Sequence, residues 1–256
     1  MYKYICEKCN KIFQTRKRGQ RFCSKSCSNS VNTSQRKIED KSIYSNGLNA
    51  VNSYILGLIY SDGCLSFDKH THRYRITVSM NDYELIKKLK DIMTPCKSIY
   101  KYKHPKGTEY TYSVVSTNPY DIDFLKSCGI IERKSKTISF PNLPVGFISH
   151  FIRGYFDGDG SVFKSTTNTY YKNNIRQYTY TFVRFTTGSI KFAYQLRCIF
   201  KKYGIKATVV KDCRKNYHCW YVNIYKKKDV TIFYKEIYKD AELFLNRKHF
   251  LFTEMI

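Results

Sequence analysis

Two aspartates occupy the same position in two copies of one ten-residue phrase. The first copy is YILGLIYSDG at 54–63, and the second is FIRGYFDGDG at 151–160. In each copy an apolar stretch, typical of a buried helix, ends in Asp62 or Asp159 and is followed by glycine. Carboxylates that are brought close together repel each other, and a divalent cation bound by both relieves that repulsion. The phrases therefore predict a two-carboxylate metal site at the ends of two helices.

A glycine inside each phrase indicates how the two helices meet. Gly57 and Gly154 are 97 residues apart, as are the two aspartates. A glycine inside a helix costs about 1 kcal/mol relative to alanine, so its presence in both copies suggests a packing requirement. We predict that the helices cross at these glycines, because two backbones can approach closely where there is no side chain.

Both phrases resemble the LAGLIDADG signature of homing endonucleases, in the form that carries two copies on one chain. The matching segments are ILGLIYSDG at 55–63 and IRGYFDGDG at 152–160, which depart from the family pattern at Tyr60 and Arg153 without losing an acid. The resemblance implies a sequence-specific endonuclease that cuts both strands of a long double-stranded DNA target and promotes the lateral transfer of its own gene. It also implies two curved antiparallel sheets that lie in the major groove.

The resemblance further implies a set of metal ligands. Asp62 and Asp159 would bind Mg²⁺ or Mn²⁺, with help from the backbone carbonyls of Ser61 and Gly158. An oxygen-only ligand set favours magnesium over zinc. Metal ions held by carboxylates supply an activated water and stabilise the phosphate and the leaving oxygen in phosphodiester hydrolysis.

The second phrase contains two acids, and the duplication selects between them. Asp159 aligns with Asp62, whereas Asp157 aligns with Tyr60. Only the position that is acidic in both copies can serve a pseudo-symmetric pair of strand cuts. We therefore predict that Asp157 packs within the protein or caps the helix end.

A basic residue late in each half would assist near the scissile phosphate, by resemblance to the family. Lys134 and Lys248 occupy the matching positions. The alternative is that both lysines contact phosphate without a catalytic role.

The elements around the phrases repeat in the same order. The offset between the two halves grows along the chain from 97 to 107, 109 and 114 residues without a change of order. Such growth indicates a duplication with insertions between elements, chiefly in a loop at 164–178. We predict an α+β protein with two pseudo-twofold-related αββαββα lobes, the first at 49–140 and the second at 141–256.

A strand with alternating polarity predicts the surface that contacts DNA. Tyr74, Ile76 and Val78 would face the core, so the residues between them would face the other side of the sheet. The resemblance to the family implies that this other side lies on DNA. Equivalent and nearby positions of both lobes extend that surface, although any single lysine is equally consistent with a solvated surface charge. The predicted DNA contacts of the lobes are Arg73, Arg75, Thr77, Ser79, Lys97, Lys101, Lys103, Arg184, Thr186, Lys211, Arg214 and Lys215.

Four clustered cysteines have the spacing of a structural zinc site. They form a C-x₂-C pair and a C-x₃-C pair, made of Cys6, Cys9, Cys23 and Cys27. A redox pair is the alternative for a lone C-x₂-C, but a second pair with different spacing favours Zn²⁺. The segment has almost no core, so metal binding would supply its folding free energy.

The cysteine cluster defines a predicted N-terminal module over residues 1–30. Basic residues such as Lys17 and Arg18 surround the cysteines and suit contact with phosphates. A polar segment at 31–48 reads as a linker to the first lobe.

The composition points to a polyanionic partner. Lys and Arg number 45 against 20 Asp and Glu, which leaves a net charge of +25. The 24 tyrosines and 17 phenylalanines exclude a disordered basic tail. There is neither a membrane-spanning stretch nor a signal-peptide core, so we expect an intracellular monomer in a reducing compartment, without a membrane partner.

A second class of function stays open on the same scaffold. An intron maturase acting on RNA, or a non-catalytic nucleic-acid-binding regulator, would share the fold and the charge. Retention of both acids favours the nuclease, because a binder gains nothing from two carboxylates placed beside phosphates.

Overall fold

The N-terminal module is a small hairpin with a helical segment. The computed structural model describes residues 1–31, 41–105, 107–171, 174–214 and 218–255. Strands β1 (Tyr2–Ile5) and β2 (Ile12–Thr15) pair in an antiparallel hairpin, and residues 25–31 are helical. The cysteines lie after β1 and at the start of the helical segment.

The first lobe follows the predicted order of elements. It consists of helix α1 (Ala50–Asp62), strands β3 (Gly63–Asp68) and β4 (Arg73–Met80), helix α2 (Tyr83–Met93), strands β5 (Tyr100–Lys103) and β6 (Tyr110–Ser116), and helix α3 (Pro119–Ser127). The apolar pattern of α1 explains its position, since nine consecutive residues from Asn52 to Tyr60 are buried.

The second lobe repeats this order and adds one helix. Its elements are helix α4 (Val145–Asp159), strands β7 (Gly160–Tyr171) and β8 (Asn174–Thr187), helix α5 (Ile190–Lys202), strands β9 (Ala207–Lys211) and β10 (Trp220–Ile224), and helices α6 (Lys227–Tyr238) and α7 (Asn246–Met255). The place of α7 is taken in the first lobe by a 3₁₀ turn at Lys134–Lys136. The predicted αββαββα lobes are thus confirmed. No described helix has the length and apolarity needed to cross a bilayer.

Each lobe contains one four-stranded antiparallel sheet. The strand orders are β3-β4-β6-β5 and β7-β8-β10-β9, which match position by position. The helices cover one face of each sheet, and the buried apolar residues of both lobes form one core cluster. In β4 the residues alternate between the covered face and the other face, which we call the open face.

The loop predicted at 164–178 is instead part of a long hairpin. In the first lobe β3 and β4 form six pairs, from Gly63 with Val78 to Asp68 with Arg73. In the second lobe β7 and β8 form twelve, from Gly160 with Phe185 outward. This segment is rich in Thr and Tyr, which favour strands, but it is polar on both faces and so lacks the alternation that marks a strand in a sequence.

Residues 42–48, which the sequence assigns to a linker, pack on the first lobe. Tyr44 is buried and stacks on Phe124 with ring centroids 4.1 Å apart. The side-chain amide of Asn52 donates hydrogen bonds to the carbonyls of Ile43 (2.9 Å) and Gly47 (2.8 Å). The lobe therefore starts before α1, at a segment that encloses the beginning of that helix.

Candidate active site and nucleic-acid interface

The two motif helices α1 and α4 cross at their internal glycines. A Cβ atom added to Gly57 would lie 2.0 Å from the carbonyl oxygen of Phe151, and one added to Gly154 would lie 2.0 Å from that of Tyr54. Both contacts are with backbone, so a side-chain rotation cannot relieve them. The crossing therefore requires glycine on both helices, and it aligns their C-terminal ends.

Those C-terminal ends carry the two acids of the repeated phrase. Asp62 is the last residue of α1 and Asp159 is the last residue of α4, and each is half-buried. The strands β3 and β7 begin at the next residue. A Cβ atom on Gly158 would lie 2.7 Å from Oδ2 of Asp62, so the two helix ends are in direct contact.

The two carboxylates share one electrostatic environment. Burial, followed by the negative charge of Asp62, raises the pKa of Asp159 to about 6. Burial also raises the pKa of Asp62, and the positive charges of Lys248, Lys134 and Arg247 oppose that rise. The ionised forms of Asp62 and Asp159 are disfavoured when the two carboxylates are crowded together and partly buried. A divalent cation, which prefers oxygen ligands, would stabilise the ionised form of both.

An open cavity of about 770 Å³ lies beside Asp62. Its wall contains Asn81 and Glu109 of the first lobe and Asp157, Gly158 and Arg247 of the second. The cavity gives solvent and ligands access to Asp62, as a hydrolytic site requires.

The two predicted basic residues bind the backbone at the ends of the motif helices. Lys134 Nζ donates hydrogen bonds to the carbonyls of Gly63 (2.5 Å) and Ser61 (3.4 Å). Lys248 Nζ donates to four carbonyls at distances of 2.6–3.2 Å, those of Phe156, Asp157, Gly158 and Gly160. Both side chains are buried, and burial lowers the pKa of Lys134 and lowers that of Lys248 to about 8.

This placement gives both lysines a structural contact beside the acids. Their ammonium groups satisfy carbonyls that a helix end leaves without partners and complement the negative end of its dipole. The carbonyls of Ser61 and Gly158, which the resemblance to the family assigns to the metal, each accept one of these hydrogen bonds. A carbonyl oxygen has two lone pairs, so the second remains for a metal.

The exposed arginines next to the lysines were assigned no role from the sequence. Arg247 immediately precedes Lys248, is exposed and lines the cavity beside Asp62. Arg133 precedes Lys134 and is also exposed. The duplication aligns the two arginines just as it aligns the lysines, so the repeat contained the information.

Asp157 has a different environment from the two paired acids. It is 2% exposed, and its Oδ2 accepts hydrogen bonds from the Tyr54 hydroxyl and the Leu245 amide, both at 2.8 Å. Burial raises its pKa to about 6. Asp157 therefore ties α4 to α1 and to the segment before α7, as expected for a packing residue.

The departure from the family pattern at Arg153 also has a packing explanation. Its guanidinium is buried and donates hydrogen bonds to the carbonyls of Leu243 (2.8 Å) and Ile237 (2.6 Å). Ile237 lies near the end of α6, so the cation satisfies a helix terminus.

The open faces carry the predicted strand residues of both lobes. In β4 these are the residues that alternate with the core positions, namely Arg73, Arg75, Thr77 and Ser79. In β8 the equivalent positions are Arg184 and Thr186. Arg184 donates to Asn223 Oδ1 (2.9 Å) and lies 4.5 Å from the Tyr221 ring centroid, so it is held in a fixed position.

Three predicted DNA contacts lie on the opposite, helix-covered side of their sheets. Lys101 pairs with Tyr112, which pairs with Met80, and Met80 shares the face of the core residues of β4. Lys103 lies two residues after Lys101 on the same strand, so it faces the same side. Lys211 pairs with Trp220, which lies opposite the buried Thr187, so it too is on the covered side.

Aromatic and apolar residues replace these lysines on the open face. Tyr100 and Tyr102 of β5 are exposed there, as is Val210 of β9. Side chains alternate between the faces of a strand, so a shift of one position changes the face of every residue.

The remaining predicted contacts have different environments. Lys97 Nζ donates to Thr117 Oγ1 (2.9 Å) beside Arg73 and Arg75. Arg214 is exposed and forms a 2.7 Å ion pair with Asp212. The remaining basic residues are Lys17 and Arg18, which are exposed in the N-terminal module, and Lys215, which lies outside the described residues.

The four cysteines of the module come together in one cluster. Their sulfur atoms all lie within 4.8 Å of one another, with Cys23 Sγ at 3.6 Å from that of Cys9 and 3.7 Å from that of Cys27. Tetrahedral Zn²⁺ with Zn–S bonds of about 2.3 Å separates its sulfur ligands by about 3.8 Å. The cluster therefore fits a structural zinc ion.

We expect the purified protein to contain one zinc ion. Cys23→Ser should remove that ion and unfold the module, because four thiolates hold a segment without a core. Cleavage at high protein concentration should survive, since the lobes do not depend on this cluster. Metal analysis of both proteins gives the result, with Cys198→Ser as a control for an exposed cysteine outside the cluster; a wild-type protein without zinc would contradict the assignment.

Comparisons with known proteins agree with this architecture. Residues 146–238 match the model of the LAGLIDADG-like domain, a segment that includes the second phrase. The structure is similar to meganuclease I-SmaMI bound to uncleavable DNA, with a TM-score of 0.57 and 13% identity over 81% of this chain and 90% of that one. It is also similar to the LAGLIDADG meganuclease I-AabMI bound to uncleaved DNA, with a TM-score of 0.55 and 12% identity over 81% of this chain and 89% of that one. No curated protein sequence matches the chain.

The fold is thus the two-lobed fold of the LAGLIDADG meganucleases. The match to the family model confirms the resemblance for the second phrase, and the structure places both phrases on the crossing motif helices of one polypeptide.

Proposed function

We propose that the chain is a site-specific DNA endonuclease that hydrolyses phosphodiester bonds in both strands with the help of divalent metal ions. The observation that supports this most is the position of Asp62 and Asp159. Two half-buried carboxylates lie at touching helix ends, each directly before the first strand of a sheet, and an accessible cavity opens beside Asp62. A scaffold that only bound nucleic acid would have no use for this repulsive pair.

The residues of the site divide the work between binding and positioning. Asp62 and Asp159 would hold Mg²⁺ or Mn²⁺, which when bound supplies an activated water and charge neutralisation at the phosphate. Lys134 and Lys248 keep the two helix ends in place through their carbonyl contacts. Arg247 presents a cation to the cavity, where it suits a DNA phosphate.

The substrate would be a long DNA duplex bound by a single chain inside the cell. Two lobes on one polypeptide supply both half-site contacts, so no second copy is needed. The net charge of +25 suits a partner with many phosphates.

A cleavage selection on a randomised duplex library tests this function. The protein with Mg²⁺ should release a defined subset of sequences cut on both strands, and EDTA should stop the reaction. Binding of structured RNA without any DNA cleavage would instead favour the maturase, and sequence-specific DNA binding without cleavage would favour the regulator.

Base discrimination should depend on the open faces. We expect Arg75→Ala to lose preference at particular base pairs of one half-site and Arg184→Ala at base pairs of the other, by about 5- to 100-fold at the affected position. Lys17→Ala should weaken binding to all duplexes alike.

Lys101→Ala is the matched control for the face assignment, because Lys101 belongs to the same sheet but lies on its covered side. Selection and salt-dependent binding measured on all four variants give the result. Equal losses on specific and random duplexes for Arg75→Ala and Lys17→Ala would contradict the assignment of the open face.

A further inference from the structure

The hairpin of β7 and β8 extends far beyond its counterpart in the first lobe. The pair Ser165–Tyr180 has the same register as Asp68–Arg73, which is the last pair of the shorter hairpin. Residues 166–179 lie beyond this pair, whereas only 69–72 do so in the first lobe. The difference of ten residues is the growth of the repeat offset from 97 to 107.

The extra length points away from the two acids. Strand β7 begins at Gly160, directly after Asp159, and β3 begins at Gly63, directly after Asp62. The six additional pairs therefore extend the hairpin outward from the two acids. At about 3.3 Å per residue they add about 20 Å, which is about six base pairs of B-form DNA.

The open face continues along this extension without a break. Every second side chain of β8 faces the same side as Arg184, and toward the tip of the hairpin these include Tyr180, Tyr178 and Arg176. Opposite them on β7 lie small hydroxyl residues, with Thr167 paired to Tyr178 and Thr169 paired to Arg176. The tyrosine and threonine hydroxyls can donate and accept hydrogen bonds, and the Arg176 guanidinium can donate them. Residues 175–180 of β8 are all exposed.

The composition of the extension suits a polyanion. The segment 164–181 contains no Asp or Glu, and it contains Lys164, Lys172 and Arg176. Within the described chain neither β7 nor the outer part of β8 pairs with another strand on its free edge. An isolated two-stranded ribbon is only marginally stable in water, whereas the major groove accommodates such a ribbon.

We propose that the two strand segments 164–171 and 174–181 lie on DNA and lengthen the target on the second-lobe side only, by about six base pairs. The inference rests on the proposed function and adds a property of its substrate: a target with one long and one short half-site, although the two acids are arranged symmetrically. The outer base pairs would be contacted by Arg176, Tyr178 and the threonines that pair with them.

The test compares the intact chain with a trimmed variant. Residues 166–179 are replaced by Lys-His-Thr-His, the sequence of 69–72, which gives both lobes a hairpin of equal length. Both proteins select bound duplexes from a randomised library in Ca²⁺, and the selected sites are footprinted with hydroxyl radicals. The intact chain should show selected base pairs farther out on one side, and trimming should remove about six of them and weaken binding about tenfold or more.

Arg75→Ala identifies the two sides, because it changes preferences on the first-lobe side. Arg176→Ala and Tyr178→Ala should lose the outer preferences without trimming, whereas Asn168→Ala and Gln177→Ala, on the reverse face, should retain them. These substitutions at exposed positions keep the test decisive if the trimmed variant does not fold.

Each other outcome has a definite meaning. Equal site lengths for intact and trimmed protein would overturn the hairpin inference and leave the endonuclease proposal intact. Failure of both to select any duplex would remove the proposed function and the inference together. If trimming instead converted a dimer to a monomer without changing the site, the free edges would bind a second copy of this chain and not DNA.

Discussion

Asp62→Asn and Asp159→Asn should each abolish double-strand cleavage while DNA binding is retained. Both residues end a motif helix, and each contributes a carboxylate to the same electrostatic environment. Loss of a group that supports a metal ligand typically costs 10- to 100-fold, so loss of a ligand itself should cost more than about a hundredfold. Removal of one negative charge relieves repulsion with phosphates, so affinity should stay constant or rise.

Asp157→Asn is the matched control, since it makes the same chemical change two residues away on the same helix. Its carboxylate is buried and accepts hydrogen bonds from Tyr54 and Leu245, which an amide oxygen can also accept. We expect substantial cleavage and a loss of about 1–3 kcal/mol in the free energy of unfolding. Cleavage and gel-shift assays on the three variants decide the matter: an inactive Asp157→Asn beside an active Asp159→Asn would overturn the site.

The repeat made the positions of the paired aspartates at the helix ends and the order of elements predictable. A feature that occurs twice at one offset is visible without a structure, and this applies to Asp62 with Asp159 and to Gly57 with Gly154. It also separated Asp157 from the paired acids, and the buried position of Asp157 agrees with that separation.

The faces of the short edge strands were not predictable in the same way. The strand YKYK at 100–103 alternates, but both sets of side chains are exposed, so burial does not distinguish them. Its orientation is set by pairing with β6, a contact between residues distant in sequence. Lys101 and Lys103 were therefore assigned to the open face on charge alone.

The role of the two lysines depends on tertiary contacts in a similar way. A lysine in a basic, polar stretch normally has a solvated ammonium group. Lys134 and Lys248 are buried because the chain returns to the ends of α1 and α4, where free carbonyls bind the charge. Sequence periodicity does not report which carbonyls a distant lysine will meet.

Gly57→Ala should severely destabilise the protein. The added Cβ would lie 2.0 Å from the carbonyl oxygen of Phe151 and 2.8 Å from the amide nitrogen of Tyr155, both in the backbone of the facing helix. Relief requires the helices to move apart by about 1 Å or more, which would loosen a crossing that carries the core of both lobes. We expect a loss of at least about 3 kcal/mol in the free energy of unfolding, or failure to fold.

Gly154→Ala should behave in the same way, because its Cβ would meet the Tyr54 carbonyl oxygen at 2.0 Å. Gly146→Ala is the control: it lies in the first turn of α4 and its added Cβ has no neighbour within 4 Å. That variant should be neutral or up to about 1 kcal/mol more stable, since alanine favours the helix. Urea unfolding measures the change in the free energy of unfolding for all three variants. Cleavage by any folded Gly57→Ala protein should also fall, because its two acids no longer lie side by side. A Gly57→Ala variant as stable and active as Gly146→Ala would show that the helices do not cross at these glycines.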